Sequence, residues 1–265
     1  MKLKALINLL GGVTLSLTTI STALAETAEE KGYAIAKERK QRDIGWGNSQ
    51  QTSKMILRNA QGEESVREIR IKSLEIADDG DKGLTIFDKP ADVKGTAFLS
   101  FSHISKPDDQ WLYLPALKRV KRISSRNKSG PFMGSEFSYE DLSSFELEKY
   151  TFKYLRDDVI NGEPVFVIES TPVDRFSGYS KQISWIDQKE YRAMKIEFYD
   201  RKKSHLKTLV FEDYRLYLEK YWRPHTMTMT NHQNKKSTVF TINALAFNVG
   251  LTKKDFNKNS LKRAK

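Results

Sequence analysis

From about residue 50 to residue 245, apolar and polar side chains alternate with a period of two, and clusters of Gly, Asn, Asp, Lys and Pro interrupt the alternation at short intervals. Successive side chains of a strand point to opposite faces, so this pattern predicts strands with one face turned inwards. The predicted strands cover residues 53–58, 66–76, 84–87, 96–101, 111–114, 119–123, 151–155, 165–170, 182–186, 193–199, 207–211, 226–230 and 238–245. Turn chemistry at Ala60-Gln61-Gly62, Asn161-Gly162, Asp200-Arg201-Lys202-Lys203 and Asn234-Lys235-Lys236 makes the connections short. Short connections join antiparallel neighbours, so the expected fold is mainly β, a meandering antiparallel sheet.

The alternation is clearest towards the C-terminus. Met194, Ile196 and Phe198 fall on one face, with Lys195 and Glu197 on the other. Leu209, Phe211, Met227, Met229, Phe240 and Ile242 extend the apolar face along the following strands. Such a face must be covered, either by other parts of the same chain as an ordinary core or by a bound molecule. Few helices are predicted to cover so many strands, and inner-face methionines suit a surface that repacks around varied ligands. These nine residues are the candidate lining of a groove.

The chain begins Met1-Lys2-Leu3-Lys4, continues through an apolar stretch to Ile20, and reaches Ala23-Leu24-Ala25 before a charged region. A positive start, a short apolar core and an A-x-A exit make residues 1–25 an expected cleavable signal peptide. Gly11-Gly12 and several Ser and Thr dilute the stretch, which argues against a membrane span. Residues 27–42 read as a weakly amphipathic helix, and 26–265 as one domain. The expected location is the periplasm.

Composition narrows the chemistry. There are no cysteines, so no disulfide, thiolate metal site or lipidated N-terminal cysteine is available. The formal charge is +11 and stays strongly positive once Lys2 and Lys4 are removed. For an exported protein this points to anionic headgroups or an acidic protein face rather than to nucleic acid. The four histidines show no H-E-x-x-H spacing, and no G-x-S-x-G elbow occurs. No catalytic residue, metal site or cofactor is expected, and an envelope hydrolase is the weakest of the alternatives.

One block carries more information than the rest. Residues 111–123 form a strand, a proline turn and a basic strand, with Lys118, Arg119, Lys121 and Arg122 as candidates for headgroup or partner contact. A Gly-rich apolar loop follows, in which Phe132, Met133 and Phe137 are candidates for an exposed mouth or lid, or for a buried plug. Ser138 and Asp141 have the spacing of a capping box, which predicts a short helix from Ser138.

Tyr113-Leu114-Pro115, Arg119-Val120-Lys121-Arg122-Ile123 and the run from Phe132-Met133-Gly134-Ser135-Glu136-Phe137 through Ser138-Tyr139-Glu140-Asp141-Leu142 resemble the signature of the outer-membrane lipoprotein-sorting family. This is the long subgroup of the LolA/LolB-like superfamily. The resemblance extends from about Asp43-Ile44-Gly45-Trp46 to the C-terminus. It implies an open, curved antiparallel half-barrel with an N-terminal helix and short helices over its concave face, and an apolar groove for lipid or an acylated protein. It also implies association with an inner-membrane transporter of the resistance–nodulation–division type. A carrier needs a partner to empty it, so an outer-membrane acceptor is a further expected partner, and the protein is expected to be a monomer. A periplasmic adaptor of such a transporter that carries nothing is the alternative.

Overall fold

The computed structural model describes residues 26–263. The predicted signal peptide, residues 1–25, lies outside the described residues. The chain enters through helix α1 (Ala28–Arg42), capped by Thr27, whose hydroxyl accepts from the Glu30 amide at 3.1 Å while Glu30 accepts from the Thr27 amide at 2.9 Å. Both end groups of the first turn are thereby satisfied, which sets where the helix starts.

Thirteen strands follow: β1 (Asn48–Arg58), β2 (Glu64–Leu74), β3 (Lys82–Lys89), β4 (Ala97–Phe101), β5 (Asp109–Leu114), β6 (Arg119–Ile123), β7 (Tyr150–Ile160), β8 (Glu163–Pro172), β9 (Tyr179–Asp187), β10 (Ala193–Asp200), β11 (His205–Tyr217), β12 (Tyr221–Asn231) and β13 (Ser237–Phe247). They form one antiparallel sheet in the order β6-β5-β4-β3-β2-β1-β13-β12-β11-β10-β9-β8-β7. Each predicted strand coincides with or overlaps one of these. The fold is the expected open, curved, mainly β architecture.

The order has one consequence for function. Strands β6 and β7 are consecutive in sequence but occupy opposite edges of the sheet. Residues 124–149 must therefore cross from one edge to the other, and they do so over the concave face. This strap contains single 3₁₀ turns at Ser125–Asn127, Glu140–Leu142 and Leu147–Lys149. The helix predicted from Ser138 is only the second of these. Ser138 and Asp141 do cap each other, the Ser138 amide donating to Asp141 at 2.7 Å and the Asp141 amide to the Ser138 hydroxyl at 3.3 Å. The strap, however, is held extended by its anchors on the sheet, and the turn does not propagate.

Helix α1 covers the concave side at the β7 end. Ile35 and Ala36 pack with Phe152, Ile168 and Ile186. The approach depends on Gly32, where a Cβ would stand 2.6 Å from the Tyr154 amide nitrogen. On the convex side, Phe256 and Leu261 pack over Leu84, Ile86, Ala97 and Leu99. Strand β4 is consequently buried on both faces, and its alternation is lost.

Candidate functional site

The strap is tied to the sheet by side chains from several strands. Phe132 is 1% exposed and sits against Phe87 and Phe98, with ring centroids 5.7 and 5.2 Å apart. Tyr139 packs edge-on to Phe132 at 5.6 Å. Arg67 of β2 donates to the Met133 carbonyl, where Met133 (φ 51°) and Gly134 (φ 79°) turn the chain through the left-handed region. Gln110 of β5 donates to the Tyr139 carbonyl at 2.9 Å, and the Glu136 amide donates to Thr238 of β13 at 3.0 Å.

Phe132 and Phe137 are therefore not an exposed mouth. Both are buried in the main core and Met133 is partly buried against it, so this part of the strap is a plug. The reason is aromatic area: the concave face presents Phe87, Phe98 and Met55, and covering them with the strap's own rings removes more apolar surface from water than leaving the loop free.

Beyond the plug the hollow is not filled. A cavity of about 520 Å³ lies between the strap, α1 and strands β8–β12, within the roughly 300–1,000 Å³ of small-ligand sites. Its apolar floor includes Ile196 and Phe198 of β10, Leu209 and Phe211 of β11, and Met227 of β12. Phe137 and Phe145 of the strap face the same space. Lys128 and Lys149 stand at its polar side, bonded to Asp174 and Asp108, each at 2.7 Å.

Of the nine residues expected to line a groove, these five do so. Met229, Phe240 and Ile242 share the same face but are buried in the cluster that contains Phe132 and Phe137. Met194 is a correction. Ala193 pairs with Ile186, and the next pair is Lys195 with Trp185, so β10 carries one extra residue there. The bulge reverses the parity of the strand, and Met194 packs on the convex face with Trp185, Val165 and Val167.

The basic candidates do not form one surface either. Lys118 holds a left-handed turn (φ 47°). Arg119 and Lys121 pair with Leu114 and Leu112 on the concave side of the edge strand β6, whereas Arg122 pairs with Trp111 on the convex side and binds Asp109 at 2.5 Å. None of the four lines the cavity.

The cations that do face it come from elsewhere, above all Arg39 of α1. Its guanidinium stacks on Phe145, 4.9 Å from the ring centroid. Burial pulls its pKa below the usual arginine value, opposed by the nearby Tyr214, Asp43 and Tyr150. Sequence reading missed Arg39 because it lies in a helix with many charges, where nothing in the local pattern marks it.

A buried polar latch lies beside the floor. Asp141 of the strap accepts from Lys207 of β11 at 2.7 Å and from the Tyr179 hydroxyl at 2.6 Å. Lys207 and Asp141 are only 4% and 6% exposed. Burial, with Asp141 beside it, holds the Tyr179 hydroxyl well above its usual pKa, so it stays a donor.

Among the described residues no helix is long and apolar enough to cross a membrane. The model of a family described as an uncharacterized protein matches residues 79–263. A crystal structure named for an outer membrane lipoprotein-sorting protein domain from Vibrio parahaemolyticus is 65% identical, covering 89% of this chain and 100% of its own, with a TM-score of 0.87. A DUF1329 family protein from Desulfovibrio piger is 27% identical over 89% of this chain and 99% of its own, TM-score 0.84. A LolA superfamily protein from Nitrosomonas europaea shares the fold at 22% identity, TM-score 0.68, over 89% of this chain and 99% of its own. None of the curated proteins searched matches the chain.

Proposed function

Because the chain belongs to the family of outer-membrane lipoprotein-sorting, LolA-like proteins, we propose that it is a periplasmic carrier sheltering the acyl part of a lipid or lipidated protein between strap and sheet. The observation that carries this reading is the cavity of about 520 Å³ with its floor of Ile196, Phe198, Leu209, Phe211 and Met227. Removing a long acyl chain from water is worth on the order of 10 kcal/mol, at about 0.8 kcal/mol per methylene. A carrier must match most of that burial and still release its load. An open sheet roofed by a strap suits both needs, since no strand pair of the sheet closes over the cavity.

Release requires a partner that binds the cargo more tightly or shifts the carrier to a weaker-binding state. A resistance–nodulation–division transporter at the inner membrane and an acceptor at the outer membrane are the partners we propose. The basic edge strand, with Arg119 and Lys121 exposed, is a suitable contact for either or for anionic headgroups.

A second reading is a transporter adaptor that carries nothing, and the burial of Phe132 and Phe137 favours it, since the strap fills part of the hollow itself. Mass spectrometry of gently purified protein separates the two. A carrier shows co-purifying lipid and takes it up again after delipidation; failure of both leaves the adaptor.

A further inference from the structure

A second cavity, of about 340 Å³, adjoins the apolar one. Arg39, Ser144, Phe145 and Phe211 line both, so the two spaces meet at these four residues. Their characters differ. The floor of the first is aliphatic and aromatic, whereas the second is walled by the cations Arg39, Lys40, Arg42, Arg192, Lys220 and Arg223 against the three carboxylates of Asp43, Asp81 and Glu190.

The state of these cations is informative. Lys40 is paired with Glu146 at 2.9 Å, Arg42 with Glu38 at 2.7 Å, Arg192 with Asp187 at 2.8 Å and Arg223 with Asp43 at 2.6 Å. Lys220 donates to the Ile44 carbonyl at 2.7 Å and has no carboxylate partner among the described residues. Arg39 has neither a hydrogen bond nor an ion pair among them; its guanidinium carbon lies over the face of Phe145, with Tyr214, Asp43 and Tyr150 further off. A half-buried guanidinium beside a ring, with no protein acceptor for its donors, is favoured once an anion arrives.

We infer that the cationic chamber is the headgroup site of the carried molecule, which is an anionic amphiphile: its acyl chain lies on the floor of the first cavity and its carboxylate or phosphate binds Arg39 at the junction. The inference rests on the carrier reading and deepens it. Phe145 and Phe211 mark the boundary where chain gives way to head. Arg39 suits the task because its planar fork matches both kinds of anion, and because Lys40, Arg42, Arg192 and Arg223 are already held by carboxylates, which leaves Arg39 as the guanidinium open to an incoming anion.

Delipidated protein is titrated with three probes of one chain length: a fatty acid, a lysophosphatidic acid and the fatty alcohol. The native protein is expected to prefer the charged probes to the alcohol by roughly tenfold, a gap of about 1.4 kcal/mol. Arg39→Gln is expected to bring that ratio close to one, and Arg39→Lys to restore part of it. The acid and phosphate arms show which anion the site takes better. A native protein that binds the alcohol as tightly as the acids, or a ratio unmoved by Arg39→Gln, overturns the headgroup site while leaving the carrier reading intact. Failure to bind any of the three removes the carrier reading and the inference with it.

Discussion

Lys207 of β11 reaches out of the sheet to Asp141 of the strap, 2.7 Å away, with both side chains almost wholly removed from solvent. The same lysine donates to the Glu136 carbonyl at 2.8 Å, and Tyr179 completes the shell of Asp141. One buried cation thus ties the segment that crosses the hollow to the strand that forms part of the cavity floor.

Asp141→Asn strands the Lys207 ammonium in the interior, and the expected loss of stability is about 3–5 kcal/mol. Replacing both charges by near-isosteres, as Asp141→Asn with Lys207→Met, is expected to cost less, because no ammonium is stranded while the amide oxygen still accepts from Tyr179 or Ser138. Urea denaturation measures both. A double variant as unstable as the single one shows that the pair contributes net stability rather than position.

The cavity floor is tested by Phe198→Asp, with Leu209→Asn as the milder change, against Lys195→Ala on the convex face. Loss of fluorescent fatty-acid uptake is expected for the first two and retention for the third, measured per folded protein by circular dichroism. Lys195 lies 3.5 Å over the Trp185 ring, so its removal affects stability by about 1 kcal/mol and not the cavity. Equal uptake by all three variants places the ligand elsewhere.

Asp81 supplies a pH dependence. Burial, with Glu146 and Glu75 nearby, pushes its carboxyl up to about 6 from an ordinary 3.8, against the Ile76 amide and Lys40. The folded state therefore holds this proton more tightly than the unfolded chain. The stability it confers is complete below about pH 4 and lost as the pH rises through about 6. Asp81→Asn is expected to stabilise the protein by about 1–3 kcal/mol at neutral pH and by little in mild acid. Thermal melts at pH 4.5 and 7.5 check this; a gain that does not shrink with acid contradicts a buried charge.

The N-terminal helix and all thirteen strands were legible because each depends on local information: a run of helix formers to Arg42 sets the helix, and period-two alternation between turn clusters sets the strands. That the five floor residues share one face followed from parity alone. The place of Met194 did not, because a bulge is a property of the pairing with β9 and leaves no mark in β10 itself. The choice between mouth and plug for Phe132 and Phe137 stayed open for a related reason, since nothing near them in sequence reveals that β6 and β7 are opposite edges.

By itself, then, the sequence determined the elements, their antiparallel connections and the apolar face, all of which arise from neighbours within a few residues. Only the tertiary structure decided that the strap crosses the hollow, that part of the face is plugged and part left open, and that Arg39 meets Phe145 and Phe211 at one junction. Those outcomes depend on which surfaces lose most contact with water when distant segments close on one another, and that is a property of the whole sheet.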